Sequence, residues 1–484
     1  MEESANLESF LQWGAALGIS DSPSSHNNPS HSCLGQSLSV SRFPEAGGRG
    51  LAAARVLRKG ELVLRVPKAA LMTRDCLIGN DHKLSAAFEK YPLLSSTQIF
   101  SIAILNEVNK GRSSWWFPYI KQFPRSYDLL ASFSRFEIEA LQIDDAIWTA
   151  EKAVLNSKME WEEATPLMRE VNLKPQLRIF NAWLWASATI SSRSMHIPWD
   201  TAGCLCPVGD YFNYTPTEED PCHLNTPKVR GVTSSFERCS TEDSIEDLPD
   251  ANTDRLMDAG YDESIACYCF YAKRYYGAGE QVLLTYGTYT NLELLEHYGF
   301  ILQENPNDKA FISLETEMYS LCSWPKESLY ISQDGKPSFS LQSTIRLWAT
   351  PVNKRRSVKQ IAYSGQCISN ENEVAVVEWI SKKCQTLLSS WPTSIDEDTL
   401  LLKSMDNIQV YTGEAEGLPV LCDEIRTLLG SSCMMRGKHC SELEFSSKMR
   451  RCVRRWKLAV QWRHRYKRIL YNCVSYCTKV LENL

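Results

Sequence analysis

In the stretch GEQVLLTYGTYTNLELLEHYGF, residues 279–300, two tyrosines hold matching places. Tyr286 closes a short apolar run, Tyr298 closes an acidic, amphipathic one, and each is followed at once by glycine. Tyrosines tolerate half-buried element ends and glycines terminate elements, so the pattern has an ordinary structural account. Its chemical account is that a strand end and a helix end deliver two phenols to one ligand, each glycine letting backbone pass close to it. Upstream, VGDYFNY (208–214) sets Asp210 and Asn213 at a turn entered from Pro207. Asx residues in turns are common, so alone this says little. GGRG at 47–50 is a glycine-rich turn placed before a strand rather than after one. It lacks the dinucleotide-binding arrangement, and reads as a tight turn or as a place where backbone closes on a ligand.

Other chemistries find less support. Cys204 with Cys206, Cys222-His223, and Cys267 with Cys269 are numerous enough to ligate zinc. Structural zinc sites, however, use C-x2–4-C pairs, and these C-x-C pairs lie in apolar, strand-like runs. Free cysteines acting as small hydrophobes account for them, and no metal is expected. Neither a Gly-x-Ser-x-Gly elbow nor a His-Glu-x-x-His pair occurs. KMRRCVRRWKLAVQWRHRYKRIL (448–470) is strongly basic with interleaved Trp456, Trp462 and Tyr466, one pattern of a nucleic-acid-binding helix. Met449, Val453, Trp456, Val460 and Leu470 nevertheless share a helical face, so the expectation is a core helix with a solvated basic side. A net charge of −6 also argues against a surface given over to nucleic acid.

The elements that must position these residues follow from periodicity. LESFLQWGAALGI spaces Leu7, Phe10, Leu11 and Leu17 for a helix near the start, and SDSPSSHNNPSHS after it reads as loop. RGLAAARVLRKGELVLRVP predicts two strands around Arg58-Lys59-Gly60, the second stopped by Pro67. From about residue 80 to 195 the period is helical; strands resume at GCLCPVGDYFNY and SIACYCFYAKRYY. Between these, about residues 215–263, a Ser/Thr/Asp-rich acidic segment predicts a long mobile loop. After Phe300 the chain turns helical again, with a polar break around 412–438. The chain of 484 residues thus divides into an N-terminal helix and linker (1–33), an α+β core with a helical insert (34–305) and an all-α region (306–484). The acidic opening MEESANLESF is no secretory leader or evident transit peptide, so the 17 cysteines are expected as reduced thiols in cytoplasm or nucleus. No apolar run approaches the ~18 residues that span a bilayer.

Taken in order, three segments resemble the SET-domain protein methyltransferases, specifically the Rubisco large-subunit methyltransferase-like branch. Gly48-Arg49-Gly50-Leu51 through Gly60-Glu61 to Pro67 is similar to that family's GxGLxAxRDIxxGExVLxVP. Pro207-Val208-Gly209-Asp210-Tyr211-Phe212-Asn213-Tyr214 resembles PxxDxxNH, and the stretch with the paired tyrosines resembles GEqvxxxYgxxxNxElxxxYGF. NAWLWASATISSRS looks like the helix ending in Ser-Arg that closes the insert, and residues 368–470 contain two segments like the helical substrate-binding region. The resemblance implies an α+β fold with a SET-type core of small β-sheets, an inserted helical region, a pseudoknotted C-terminal segment to the core and an all-α domain after it.

It also implies a function. S-adenosylmethionine would donate a methyl group to a lysine of a protein substrate, with a monomer engaging that substrate partly through its C-terminal helices, away from membranes and nucleic acid. By the resemblance, Tyr286 would be the catalytic tyrosine, and Tyr298 with the backbone carbonyls of Ser192 and Asp210 would line the lysine channel. Arg49, Arg193, Asn213, Tyr214, Tyr286 and Phe300 would bind the cofactor, Arg193 through its carboxylate and Phe300 near the adenine. Transfer from a sulfonium to an amine is an in-line displacement, so positioning is most of the catalysis and no metal is required. Where the family has Asn-His this chain has Asn213-Tyr214. That departure favours one alternative, a catalytically silent SET fold that binds partners; the others are a nucleic-acid-binding protein led by the basic helix, and histidine in place of lysine as acceptor.

Overall fold

The computed structural model describes residues 2–22, 32–44, 48–79, 81–216, 258–321, 324–410 and 447–484. Most of the acidic segment and the polar break at 412–438 lie outside the described residues. The chain forms two compact units that do not follow chain order. One comprises Met1–Ala86, Asn106–Phe123 and Arg193–Thr288, the other Ala87–Leu105, Pro124–Ser192 and Tyr289–Leu484. Among the described residues no helix is long and apolar enough to cross a membrane.

Among its described residues the first unit contains ten short strands: β1 (Leu38–Phe43), β2 (Gly48–Ala53), β3 (Leu62–Pro67), β4 (Met72–Thr73), β5 (Ser194–Ile197), β6 (Asp200–Leu205), β7 (Asn213–Tyr214), β8 (Ala259–Asp262), β9 (Cys267–Tyr271) and β10 (Gln281–Leu284). They make three small sheets, ordered β1-β2-β10-β7, β3-β9-β8 and β4-β6-β5. The predicted strands on either side of Arg58-Lys59-Gly60 are β2 and β3, but they enter different sheets rather than pairing as a hairpin. In the four-stranded sheet β10 lies between strands distant in sequence. It runs antiparallel to β2 (Val282↔Leu51) and parallel to β7 (Leu283↔Asn213, Leu284↔Tyr214). This arrangement carries the GRG segment, the Asp-x-x-Asn segment and the first tyrosine to one place.

Asp21 fixes the entry into β1. Its buried Oδ2 accepts the backbone N–H groups of Gly35, Gln36, Ser37 and Leu38 at 2.9, 2.9, 2.8 and 2.9 Å. A single carboxylate thereby satisfies four donors before the β1–β2 ladder begins, and hydrogen bonds to a charged group are the strong kind. Asp21→Ala is expected to cost about 2–3 kcal/mol in urea denaturation, because the donors lose their acceptor away from water. An unchanged midpoint would show that solvent replaces it. The N-terminal helix, Glu2–Ala16, ends one residue before Leu17 and buries Phe10 against the rings of Tyr119 and Tyr211, each centroid 5.8 Å away.

The second unit is largely helical, as expected. It adds a two-stranded hairpin, β11 (Lys309–Phe311) with β12 (Tyr330–Ser332), where 306–484 reads as all-α. The helices Asn370–Ser390 and Ile395–Val410 pack on a 35-residue helix, Ser447–Leu481. On that helix Val453, Trp456, Val460 and Leu470 are buried as predicted. Its basic side is not simply solvated: Arg463 and Lys467 are also buried, holding one carboxylate, Asp398. Arg463 Nε and Nη2 donate to Asp398 Oδ1 at 2.9 and 2.7 Å, and Lys467 Nζ donates to Oδ2 at 2.7 Å. The remaining donors reach the carbonyls of Ala140 and Thr393. Charge thus identifies a solvated face only where no acid is brought to it.

Candidate functional site

In the first unit Arg49, Arg193, Asp210, Asn213, Tyr214 and Tyr286 form one connected set of contacts. Asn213 and Tyr214 are β7 itself, and Asn213 Nδ2 lies 3.4 Å from the carbonyl of Arg49 on β2. Gly50 permits this approach, since a Cβ there would stand 2.6 Å from Asn213 Nδ2 and 3.0 Å from Gln281 Nε2. Tyr286 follows β10 by two residues, and its hydroxyl donates to the backbone carbonyl of Phe212. Burial pushes the Tyr286 phenol up, Arg193 opposes the shift and Asp210 adds to it. The phenol therefore stays protonated and acts as a hydroxyl.

Tyr214 has a defined task. Its hydroxyl donates to the carbonyl of Gly287 at 2.9 Å, and its ring centroid is 5.3 Å from that of Tyr286. The side chain that departs from the resembled Asn-His pattern braces the turn just after Tyr286.

Asp210 is the electrostatic centre of the set. Its carboxylate is fully buried and accepts Arg193 Nη1 at 2.8 Å and the Tyr119 hydroxyl at 3.0 Å. Burial raises its pKa, while the charge and hydrogen bond of Arg193 and the hydrogen bond of Tyr119 pull it down. The Asp210 carbonyl also accepts Arg193 Nη1, at 3.3 Å. Val208, just ahead of the Gly209–Tyr211 turn, has φ of 70° and ψ of −45°. That conformation is rare for a β-branched residue and costs about 1–3 kcal/mol. Arg49 lies within β2 rather than in the preceding turn; its Nη1 donates to Gln122 Oε1 at 2.7 Å and to the Tyr211 hydroxyl at 3.1 Å.

Ser192, Tyr298 and Phe300 belong to the second unit. The Ser192 hydroxyl turns back onto the Ala188 carbonyl within the helix Phe180–Arg193. Tyr298 caps the helix Asn291–His297, its N–H and that of Gly299 both reaching the Leu294 carbonyl, at 2.9 and 3.0 Å. Its ring meets Tyr289 edge-on at 5.5 Å and Phe300 at 6.1 Å. Gly299 has φ of +76°, and a Cβ there would lie 3.0 Å from the Asp128 backbone carbon. On the side where a Cβ would project, its neighbour is the Asp128 backbone. At Gly287 the feature in use is its carbonyl, held by Tyr214.

Several members of these sets escape sequence reasoning. The Phe212 carbonyl lies inside a motif already singled out, yet carries no side-chain signal. Tyr289 sits at an unassigned position of the 279–300 stretch, Tyr119 and Gln122 belong to no motif, and Tyr119 is 91 residues from Asp210. The cysteines Cys204, Cys206 and Cys269 are buried, and burial pushes the Cys204 thiol up to about 12. Cys222 and His223 lie outside the described residues.

Residues 307–470 match the family described as Rubisco LSMT substrate-binding. The chain is 50% identical over 491 residues to Protein SET DOMAIN GROUP 40 of Arabidopsis thaliana, covering 100% of this chain and 97% of that one. It is 24% identical to the actin-histidine N-methyltransferase of Xenopus tropicalis and 23% to that of Mus musculus, over 75% and 74% of this chain. It spans about three fifths of each of those two proteins, 61% and 59%. Among solved structures, the fold is like that of the SET domain of LSMT bound to lysine and AdoHcy, with a TM-score of 0.56, 17% identity, and coverage of 99% of this chain and 92% of that one. Rubisco LSMT bound to sinefungin and monomethyllysine is similar at a TM-score of 0.57 and 16% identity, with the same coverage. With half its residues shared along the full length of one such protein, the chain belongs to the SET-domain family, in its Rubisco large-subunit methyltransferase-like branch.

Proposed function

We propose that this protein is an S-adenosylmethionine-dependent protein methyltransferase acting on a lysine of a protein substrate. The observation that carries the reading is the hydroxyl of Tyr286, fixed on the Phe212 carbonyl beside the parallel β7–β10 pair. Arg49, Arg193, Asp210 and Asn213 belong to the same unit.

These residues fit the donor. Asp210 Oδ1 is buried with no hydrogen-bond partner among the described residues, an acceptor that an α-ammonium group would satisfy. The Arg193 guanidinium beside it suits a carboxylate, so the pair matches the two charges of an amino-acid end. Among the described residues no side chain stands within 4 Å of where a Cβ on Gly48 would be, which leaves room next to the backbone of Arg49. When bound, S-adenosylmethionine supplies an electron-poor methyl group on a sulfonium. The protein's part is to orient: hydroxyl and carbonyl oxygens hold such a methyl by C–H···O contacts, and aromatic walls disfavour an ammonium, helping lysine shed its proton. The match of residues 307–470 to a substrate-binding family supports a protein acceptor.

Calorimetric titration with S-adenosylmethionine, followed by incubation with labelled donor and a protein extract, tests the reading. A folded chain that binds no donor would sink it. Gly50→Ala is expected to weaken donor binding about tenfold, about 1.4 kcal/mol, by displacing the Asn213 amide, with the melting temperature little changed. Unaltered affinity would remove Asn213 from the donor site.

The actin-histidine N-methyltransferase relatives favour a second reading, with histidine as acceptor. The pH profile separates the two. Free lysine, near pKa 10.4, must lose a proton before it attacks, so its rate climbs above pH 8; imidazole is already neutral there and its rate levels off.

A further inference from the structure

We propose that Arg455 is a positioning residue for the acceptor side of the site, fixing the Tyr298-Gly299-Phe300 backbone through Asp128. The inference rests on the reading of Tyr298 as a wall of the acceptor channel. All the participating residues lie in the second unit.

Arg455 brackets the segment 127–132. Its Nε donates to Asp128 Oδ1 at 3.0 Å, Nη1 to the Ser132 carbonyl at 2.5 Å and Nη2 to the Tyr127 carbonyl at 3.2 Å. Arg454 Nε meets the other carboxylate oxygen, Oδ2, at 2.5 Å. Asp128 is nearly buried, so this carboxylate is compensated by the two guanidinium groups and is not free to drift.

The backbone of Asp128 lies alongside Gly299 and leaves no room there for a side chain. A Cβ at Gly299 would meet the Asp128 carbon, nitrogen and oxygen at 3.0, 3.2 and 3.2 Å. Gly299 can retreat little, because its N–H shares the Leu294 carbonyl with Tyr298 and the preceding His297 carbonyl accepts the Ser191 hydroxyl at 3.1 Å. The place of Tyr298 is thus set from a helix more than 150 residues away in sequence, within the 307–470 substrate-binding match. Lysine cannot replace this bracket, since one ammonium does not span a carboxylate and two carbonyls in the plane that a guanidinium does.

The test pairs hydrogen exchange with kinetics on the full-length Arg455→Lys and Arg455→Ala proteins. Both variants are expected to exchange the Tyr298 and Gly299 amides about tenfold faster than wild type, with the rest of the second unit unchanged. They are also expected to lose about tenfold in kcat with donor affinity intact, and to shift the ratio of mono- to higher methylation, because a displaced wall alters the channel without touching the donor. Wild-type exchange at these two amides overturns the proposal, as does faster exchange spread evenly through the unit, which marks a merely structural arginine. If Arg455→Ala does not fold, Arg455→Lys decides, since it keeps the charge beside Asp128. Should the wild-type chain transfer no methyl group, the functional reading falls by itself, and the exchange measurement still decides the coupling.

Discussion

Replacing Tyr286 with phenylalanine is expected to lower kcat for methyl transfer about 100-fold while leaving donor affinity within about threefold. The change deletes one oxygen and little else: the ring keeps its place 5.3 Å from Tyr214. What disappears is a hydroxyl fixed on the Phe212 carbonyl, which under the proposed function orients the transferring group. A 100-fold loss corresponds to about 2.7 kcal/mol, more than a single C–H···O contact supplies. The remainder must come from misalignment, to which in-line displacement is sensitive. Because burial keeps the phenol protonated, no inflection from Tyr286 itself should appear in the wild-type pH profile between pH 6 and 9. The loss of the hydrogen bond costs about 1 kcal/mol of stability, so the variant remains folded and a thermal melt verifies it. Wild-type turnover in this variant would remove Tyr286 from the catalytic role.

The second large effect concerns stability. Asp398→Ala is expected to destabilise the second unit by about 3–5 kcal/mol in urea, because it leaves two buried cations, Arg463 and Lys467, without a counter-ion. Replacing all three groups with well-packed apolar residues should cost far less, since a buried ion network is weak evidence of net stabilisation. The pH dependence has a definite sign. Burial pushes the Asp398 carboxyl up, but the hydrogen bonds and charges of Arg463 and Lys467 outweigh it and hold the folded-state value below 3.8. Its contribution is then present above the unfolded carboxyl pKa, about 3.9, and is lost as pH falls through the lower folded value. Wild type should therefore lose more stability than Asp398→Ala on going from pH 5 to pH 3. Parallel acid curves would refute the linkage.

Both experiments draw on features of unequal legibility. Strands β2, β3 and β10 can be read from alternation and flanking Gly or Pro, and Tyr286 from its place at a strand end, because these signals are local. The apolar face of the Ser447–Leu481 helix is equally readable. The fate of Arg463 is not, because its partner lies 65 residues away and a one-dimensional pattern counts every charge as solvated. The hairpin β11–β12 escapes for another reason: strands of three residues are too short to show a period of two. The same holds for Tyr119 and Gln122, which reach Asp210 and Arg49 only through tertiary packing. Tyr214 falls between these cases. Its departure from the motif is visible, while its bond to Gly287 requires the β7–β10 register to be known.

That register has a consequence for how the chain is made. Strand β10 pairs Val282 with Leu51 and Leu284 with Tyr214, so the central sheet cannot close until its third-ordered strand leaves the ribosome. At about 5–20 residues per second, β2 waits roughly 10–50 s with one edge unpaired. An open edge is a template for the wrong partner, and closing so long a loop is slow. The residues around Tyr286 are therefore assembled only after more than half of the 484 residues have been made, and until then the nascent protein carries an open edge where its candidate site will be.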